Sequence, residues 1–288
     1  MTLKALWWKE EGEKARCGLC FHRCLLAAGG TGYCGVRRWN GEIFSSPYLG
    51  NFSSCAVDPI EKKPLYHWRP GSCILSLGGI GCCMRCPFCQ NHSIAQPQSG
   101  QSLSLSLAPL SPADLLLRLR QQRLSAVAYT YNEPVLQAEY ILEAAPLLKE
   151  AGIATVLVTN GMFSAEALED AIPWLDAVNV DLKTFDAAKY AQLGGSLETV
   201  KYSIVRMIRS GIHVELTNLV VPDISDSHED FARMVEWIAS ISPEIPLHVS
   251  RYFPAYRYSA PPTDVGLVRN FAAFAGTKLR HVHTGNIW

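Results

Sequence analysis

The sequence predicts an α/β protein: a partial, open (β/α)6-type TIM barrel preceded by a small amino-terminal cysteine-rich module. Three observations carry that expectation. From Cys73 onward, apolar β-rich runs alternate with helical stretches. The runs are almost continuously apolar, as in a parallel sheet covered on both faces. No Gly-x-Gly-x-x-Gly follows the first run, which disfavours a doubly wound dinucleotide fold. Six or seven strand–helix units are too few for a full eight-fold barrel. The expected division is 1–70 for the module with its connecting strands and 71–288 for the barrel.

The module contains Cys17, Cys20, Cys24 and Cys34 around the glycine-rich turn Gly29–Gly32. Four thiolates with no open position suit a closed structural site, zinc or an auxiliary iron–sulfur cluster, because both accept tetrahedral sulfur. Residues 39–70 follow with short β-like pieces and the run Asp58 to His67, whose Glu61, Lys62 and Lys63 read as a solvated surface turn.

The barrel strands are expected at Cys73–Leu77, Ala126–Tyr131, Thr155–Thr159, Ala177–Leu182, His213–Val221, Pro246–Phe253 and Leu279–His283. Between them, Ala113–Arg123 repeats leucine at helical spacing after the start signal Ser111-Pro112. Val135–Ala151 keeps one apolar face and stops at Gly152. Ser164 caps a helix to Ile172, and Val200–Arg209, Ser227–Ser240 and Asp264–Ala275 supply three more. Alternating serine and leucine over Gln101–Leu107 fits a strand, a surface linker or a flexible edge equally well.

One loop stands out: Gly78-Gly79-Ile80-Gly81-Cys82-Cys83-Met84-Arg85-Cys86-Pro87-Phe88-Cys89-Gln90-Asn91. Cys82, Cys86 and Cys89 have the spacing C-x3-C-x2-C, and closely packed thiolates suit iron–sulfur clusters or zinc. Three ligands on a [4Fe–4S] cube would leave one iron open, which hints at a catalytic cluster. Of the ten cysteines, Cys55, Cys73 and Cys83 belong to neither group and read as small buried hydrophobes.

Lys plus Arg and Asp plus Glu each number 26, so no overall basic field draws nucleic acid. Residues Met1–Arg16 lack the apolar core of a signal peptide, and no stretch has the length of a membrane span. A cytoplasmic protein without a membrane partner is expected, its cysteines reporting metal ligation rather than disulfides.

The three-cysteine loop followed by Gln90-Asn91 resembles the signature of radical S-adenosylmethionine (SAM) enzymes. Within them it is similar to the branch of pyruvate formate-lyase activating enzyme, and most similar to the AmmeMemoRadiSam system radical SAM proteins. Supporting stretches are Cys17–Arg37, Val57–His67, Tyr129–Pro134, Thr159-Asn160-Gly161 and Asn179–Lys183. The resemblance implies a partial barrel, a [4Fe–4S] cluster on Cys82, Cys86 and Cys89, SAM as cofactor, and an electron donor such as flavodoxin or ferredoxin. The substrate is left open, a protein among the candidates.

A barrel gathers its strand ends on one rim, where polar residues recur: Asn132, Glu133, Thr159, Asn160, Asp181, Lys183, Asn218, His248 and Arg251. By resemblance, Asn132-Glu133-Pro134 stands where relatives carry Gly-Gly-Glu, which holds the SAM amino group; both glycines are replaced here. Asn160, Asp181 and Lys183 match positions that bind the amino-acid and ribose parts of SAM, and His248, Arg251 or both complete the pocket. Phe88, Tyr129 and Tyr131 are candidates to pack over the adenine. Two rival functions accompany this reading: an activator of a glycyl-radical enzyme, and a non-catalytic zinc-binding interaction protein.

Overall fold

The computed structural model describes residues 4–97 and 107–287. The Gln101–Leu107 alternation lies outside the described residues up to position 106. Fifteen strands are formed among those described. The amino-terminal part contributes β1 (Trp8–Glu11), β2 (Lys14–Cys17), β3 (Leu25–Leu26), β4 (Arg38–Trp39), β5 (Phe44–Ser45) and β6 (Asn51–Phe52). Then come β7 (Ser54–Pro59), β8 (Cys73–Gly78), β9 (Ala108–Pro109), β10 (Ala126–Thr130), β11 (Ala154–Thr159), β12 (Ala177–Asp181), β13 (His213–Val220), β14 (Leu247–Arg251) and β15 (Val282–Gly285).

One eight-stranded sheet in the order β15-β14-β13-β12-β11-β10-β8-β7 forms the barrel wall. Its pairs from β8 to β15 are all parallel, while β7 runs antiparallel along the edge of β8. The seven parallel strands follow the seven apolar runs of the sequence, the central ones buried on both faces as that pattern requires, while the edge strand β15 begins three residues later than expected and is only half-buried. The edge strand β7, which the sequence groups with the cysteine module, belongs to this sheet.

The short α1 (His92–Ala95) follows the cysteine loop and lends Ala95 to a cavity wall, while the longer helices cover the sheet: α2 (Pro112–Gln121), α3 (Ala138–Glu150), α4 (Ala165–Ala171), α5 (Ala187–Gln192), α6 (Leu197–Arg209), α7 (His228–Ile241) and α8 (Val265–Ala275). Serine caps start several of them: the Ser111, Ser164 and Ser227 hydroxyls accept from backbone N–H groups three residues on. The sequence reading missed α1 and α5, which at four and six residues are too short to show a period. Among the described residues no helix is long and apolar enough to cross a membrane.

The run Asp58 to His67 closes the amino-terminal end of the barrel. Ile60 and Leu65 pack with Ile74, the second residue of β8, and with Ala126, Ala154 and Ala177, the first residues of β10, β11 and β12. Lys63 corrects the expectation of a solvated turn. Its side chain is buried, with Nζ 2.8 Å from Asp58 Oδ2 and 4.5 Å from the centre of the Tyr131 ring, whereas Lys62 stays exposed. Tyr131 donates to the same Asp58 oxygen at 2.7 Å. A buried ammonium persists only with such partners.

The cysteine module docks on the barrel through a buried ion pair, Arg37 Nη1 to Glu139 Oε1 of α3 at 2.5 Å. It also reaches the cysteine loop, where His22 Nε2 lies 2.8 Å from the Cys83 carbonyl and Arg85 sits over the Tyr33 ring.

Candidate active site

The loop after β8 carries the three thiols to the carboxyl ends of the strands. Its turn depends on Gly81, whose φ is +91° and whose added Cβ would lie under 3 Å from Val36, Leu136 and the Cys34 carbonyl. No other residue fits there. Asn132 pins this turn, accepting at Oδ1 from the Gly79 N–H at 2.8 Å and donating from Nδ2 to the Gly81 carbonyl at 3.0 Å.

Cys82, Cys86 and Cys89 line one cavity of about 200 Å³. Asn132 and Glu133 after β10, Thr159 and Asn160 at the end of β11, and Asp181 and Lys183 at the end of β12 line it too. Met84, Phe88 and Leu219 make its apolar wall. Burial pushes the Cys86 thiol up to about 12, partly offset by the Lys183 ammonium, and Cys89 is raised for the same reason.

Glu133 is 2% exposed. Its Oε1 accepts from Thr159 Oγ1 at 2.6 Å and Val135 N–H at 3.1 Å, and its Oε2 from Asn160 N–H at 2.8 Å. Burial outweighs these bonds and, with Asp181 nearby, raises the carboxyl to about 7. Lys183 Nζ lies 2.8 Å from Asp181 Oδ2. Burial works against the charge of Lys183, but Asp181 and Cys86 prevail and hold it above the ordinary lysine range.

Asn160 is almost fully buried beside the cysteines. Its Nδ2 is 3.5 Å from Cys82 Sγ, and its Oδ1 accepts from the Met162 N–H at 3.1 Å. Nine of the predicted residues therefore meet: Cys82, Cys86, Cys89, Asn132, Glu133, Thr159, Asn160, Asp181 and Lys183.

Three others do not join them. His248 is the second residue of β14, in register with Thr217 and His283. As the second of five residues it sits toward the amino-terminal end of the strand, away from the mouth, with Nε2 2.7 Å from Glu215 Oε2. Arg251 donates from Nε to the Thr263 carbonyl at 2.7 Å and stacks on Phe253, outside the cavity lining. Asn218 donates to the Leu182 carbonyl instead of facing the cavity. Among the aromatics, Phe88 and Tyr131 line the cavity, but Tyr129 packs edge-on against Tyr140 of α3, on the other face of the sheet. Tyr131 reaches the cavity through a left-handed backbone, φ +69°, which strand alternation does not foretell.

Cys83 is buried as expected, and its Sγ donates to Asn160 Oδ1. Cys55 and Cys73 correct the expectation of burial. Both are exposed, since Cys55 lies on the edge strand β7 and Cys73 opens β8 opposite Pro59. In the module, Cys17, Cys20 and Cys34 are buried and Cys24 half-buried; Cys17 N–H donates to the Cys24 carbonyl at 2.9 Å. Burial raises the Cys17, Cys20 and Cys34 thiols.

A profile of the Radical SAM superfamily matches residues 77–238. An uncharacterized protein of Methanocaldococcus jannaschii is 33% identical over 286 residues, covering 97% of this chain and 83% of its own. The pyruvate formate-lyase-activating enzyme of Clostridium pasteurianum is 25% identical over 165 residues, covering 56% of this chain and 67% of its own. Of the solved structures, Streptococcus suis SuiB bound to S-adenosylmethionine superposes with a TM-score of 0.54 at 17% identity, covering 70% of this chain and 48% of that one, and shares the fold. The matched span runs from the end of β8 into α7, through every strand end that lines the cavity, and by that match this enzyme belongs to the radical SAM superfamily.

Proposed function

We propose that this enzyme holds a [4Fe–4S] cluster on Cys82, Cys86 and Cys89 and uses it to cleave SAM reductively, abstracting hydrogen from a substrate. The observation that carries this reading is the convergence of the three thiols with Asn160, Asp181 and Lys183 on one cavity. The donor set fits: the thiols are free, and a four-iron cube takes each thiolate on a different iron. Among the described residues no group of three or more His, Cys, Asp or Glu side chains is placed to hold a single metal ion. The family membership sets aside the reading as a non-catalytic zinc protein.

The cluster with SAM supplies one-electron scission of the S–C5′ bond and a 5′-deoxyadenosyl radical. The chain's part is to bind, orient and exclude water. Asp181 and Lys183 are a paired acceptor and donor for the ribose hydroxyls and the amino-acid carboxylate. Glu133 accepts three hydrogen bonds, so about one of a carboxylate's four lone-pair sites is left for the SAM ammonium. An ammonium there favours the ionised carboxylate, so binding draws the proton off Glu133. Phe88, Met84 and Leu219 keep the reacting centre dry.

The electron comes from a donor such as flavodoxin or ferredoxin. The identity to an activating enzyme favours, as a second reading of the substrate, a glycine of a protein backbone. Cys17, Cys20, Cys24 and Cys34 would hold a structural metal, zinc or an auxiliary iron–sulfur cluster, once drawn together, since among the described residues no three of these side chains are gathered about one ion. Cys20→Ala then lowers metal content and thermal stability together, and unchanged metal content counts against this site.

The test is anaerobic reconstitution, reduction with dithionite, addition of SAM and quantification of 5′-deoxyadenosine. Formation that requires the cluster and the reductant, and that Cys86→Ala abolishes without unfolding the protein, is the expected result. Nucleoside formation by Cys86→Ala at the wild-type rate removes this loop from the mechanism.

A further inference from the structure

We infer that Asn160 is a positioning residue for the cluster's electronics: its side-chain amide donates an N–H···S hydrogen bond to Cys82 and makes the cluster easier to reduce. The inference rests on the cluster reading above.

The amide has one allowed orientation. Oδ1 accepts from the Met162 backbone N–H at 3.1 Å and from the Cys83 thiol at 3.5 Å. The Met162 N–H can only donate, so a flipped amide would set its NH₂ against it. Nδ2 is thereby turned toward Cys82 Sγ, 3.5 Å away. The Met84 N–H approaches the same sulfur at 3.3 Å, so Cys82 lies between two donors.

The backbone that carries the amide is equally fixed. Glu133 Oε2 accepts the Asn160 N–H, and its Oε1 accepts the Thr159 hydroxyl, whose oxygen in turn accepts from the Gly161 N–H at 3.0 Å. Gly161 has φ +72°, and a Cβ there would meet Val200 at 3.1 Å. A residue so thoroughly held is suited to a constant field at one atom rather than to following a ligand. Donors to a cluster thiolate withdraw electron density and stabilise the more negative, reduced state, which raises its potential.

The experiment is an EPR-monitored redox titration of the reconstituted full chain without SAM, comparing wild type with Asn160→Asp and Asn160→Ala. Both variants are expected to shift the midpoint to more negative potential, with Asp, which adds charge, shifting it further. An unchanged midpoint in Ala with weakened SAM binding overturns the inference and leaves Asn160 as a ligand contact alone. Should both variants fail to hold a cluster, pulsed EPR of reduced wild-type protein labelled with 15N only in the asparagine side-chain amide decides, since the Asn91 and Asn132 amides donate to carbonyls: a weak 15N coupling supports the bond, and its absence overturns it. A wild-type protein that binds no reducible cluster overturns the functional reading itself, a result distinct from either.

Discussion

Two glutamates lie in the same barrel, both almost completely buried, with opposite acid strengths. Glu133 at the mouth is raised to about 7, whereas Glu215 on β13 is held far below the usual glutamate value of 4.5. Burial is the largest influence on each and pushes both upward. The difference lies in the partners. Glu215 accepts from His213 at 3.0 Å, His248 at 2.7 Å, and the Tyr66 and His67 backbone N–H groups at 3.0 and 2.8 Å. Glu133 accepts from a hydroxyl and two backbone groups, with Asp181 as the nearby charge. One carboxylate is complete within the fold, and the other lacks a cation, which a ligand's ammonium can provide.

The largest effect is expected from breaking the complete one. Glu215→Ala leaves two backbone donors and two imidazoles unpartnered beneath the barrel and should cost about 3–5 kcal/mol, read by chemical denaturation. Glu133→Gln should cost about 1–3 kcal/mol in the protein without cofactors, because the amide escapes the burial penalty on charge but sets its NH₂ against the Asn160 N–H, leaving that buried donor unpaired. Equal losses would break the contrast.

A smaller effect is expected at the cation of the mouth. Lys183→Met preserves length and leaves the fold intact, while the SAM dissociation constant should rise by about tenfold, roughly 1.4 kcal/mol. Unchanged affinity in equilibrium dialysis would mean that the paired Asp181 and Lys183 serve the fold and not the ligand.

The smallest is a slope against pH. A raised acid such as Glu133 contributes stability that is present below 4.5 and lost as the pH rises to about 7. A depressed acid such as Glu215 does the reverse, and its contribution disappears as the pH falls below 4.5. Denaturation midpoints of the protein without cofactors should therefore decline less between about pH 4.5 and 7 in Glu133→Gln than in wild type. Identical profiles would place the proton elsewhere.

Much of this was legible in the chain. Apolar runs such as Ala126–Tyr131 and Ala177–Leu182 became strands because burial on both faces requires continuous hydrophobicity, and that pattern is local. The thiol spacing was legible for the same reason, as a short loop cannot separate its own cysteines far. Lys63 was misread because its partners, Asp58 and Tyr131, are five and 68 positions away, and isolated charge reads as surface. Glu215 drew no notice, since one acidic residue in an apolar run looks like an exception until four donors surround it. His248 was placed at the mouth because a polar residue in an apolar strand reads as a rim residue, whereas it is the second of the five residues of β14 and lies toward the opposite end.

The sequence by itself determined the alternation of strands and helices and the loop that carries the three thiols, both consequences of neighbouring residues. Only the tertiary structure decided which polar side chains meet those thiols. Asn160 lies 78 residues from Cys82, yet the register of β8, β10 and β11 brings its amide to the sulfur. That register is set jointly by every pair across the sheet, and a slip of one residue in a strand would turn its side chains to the opposite face.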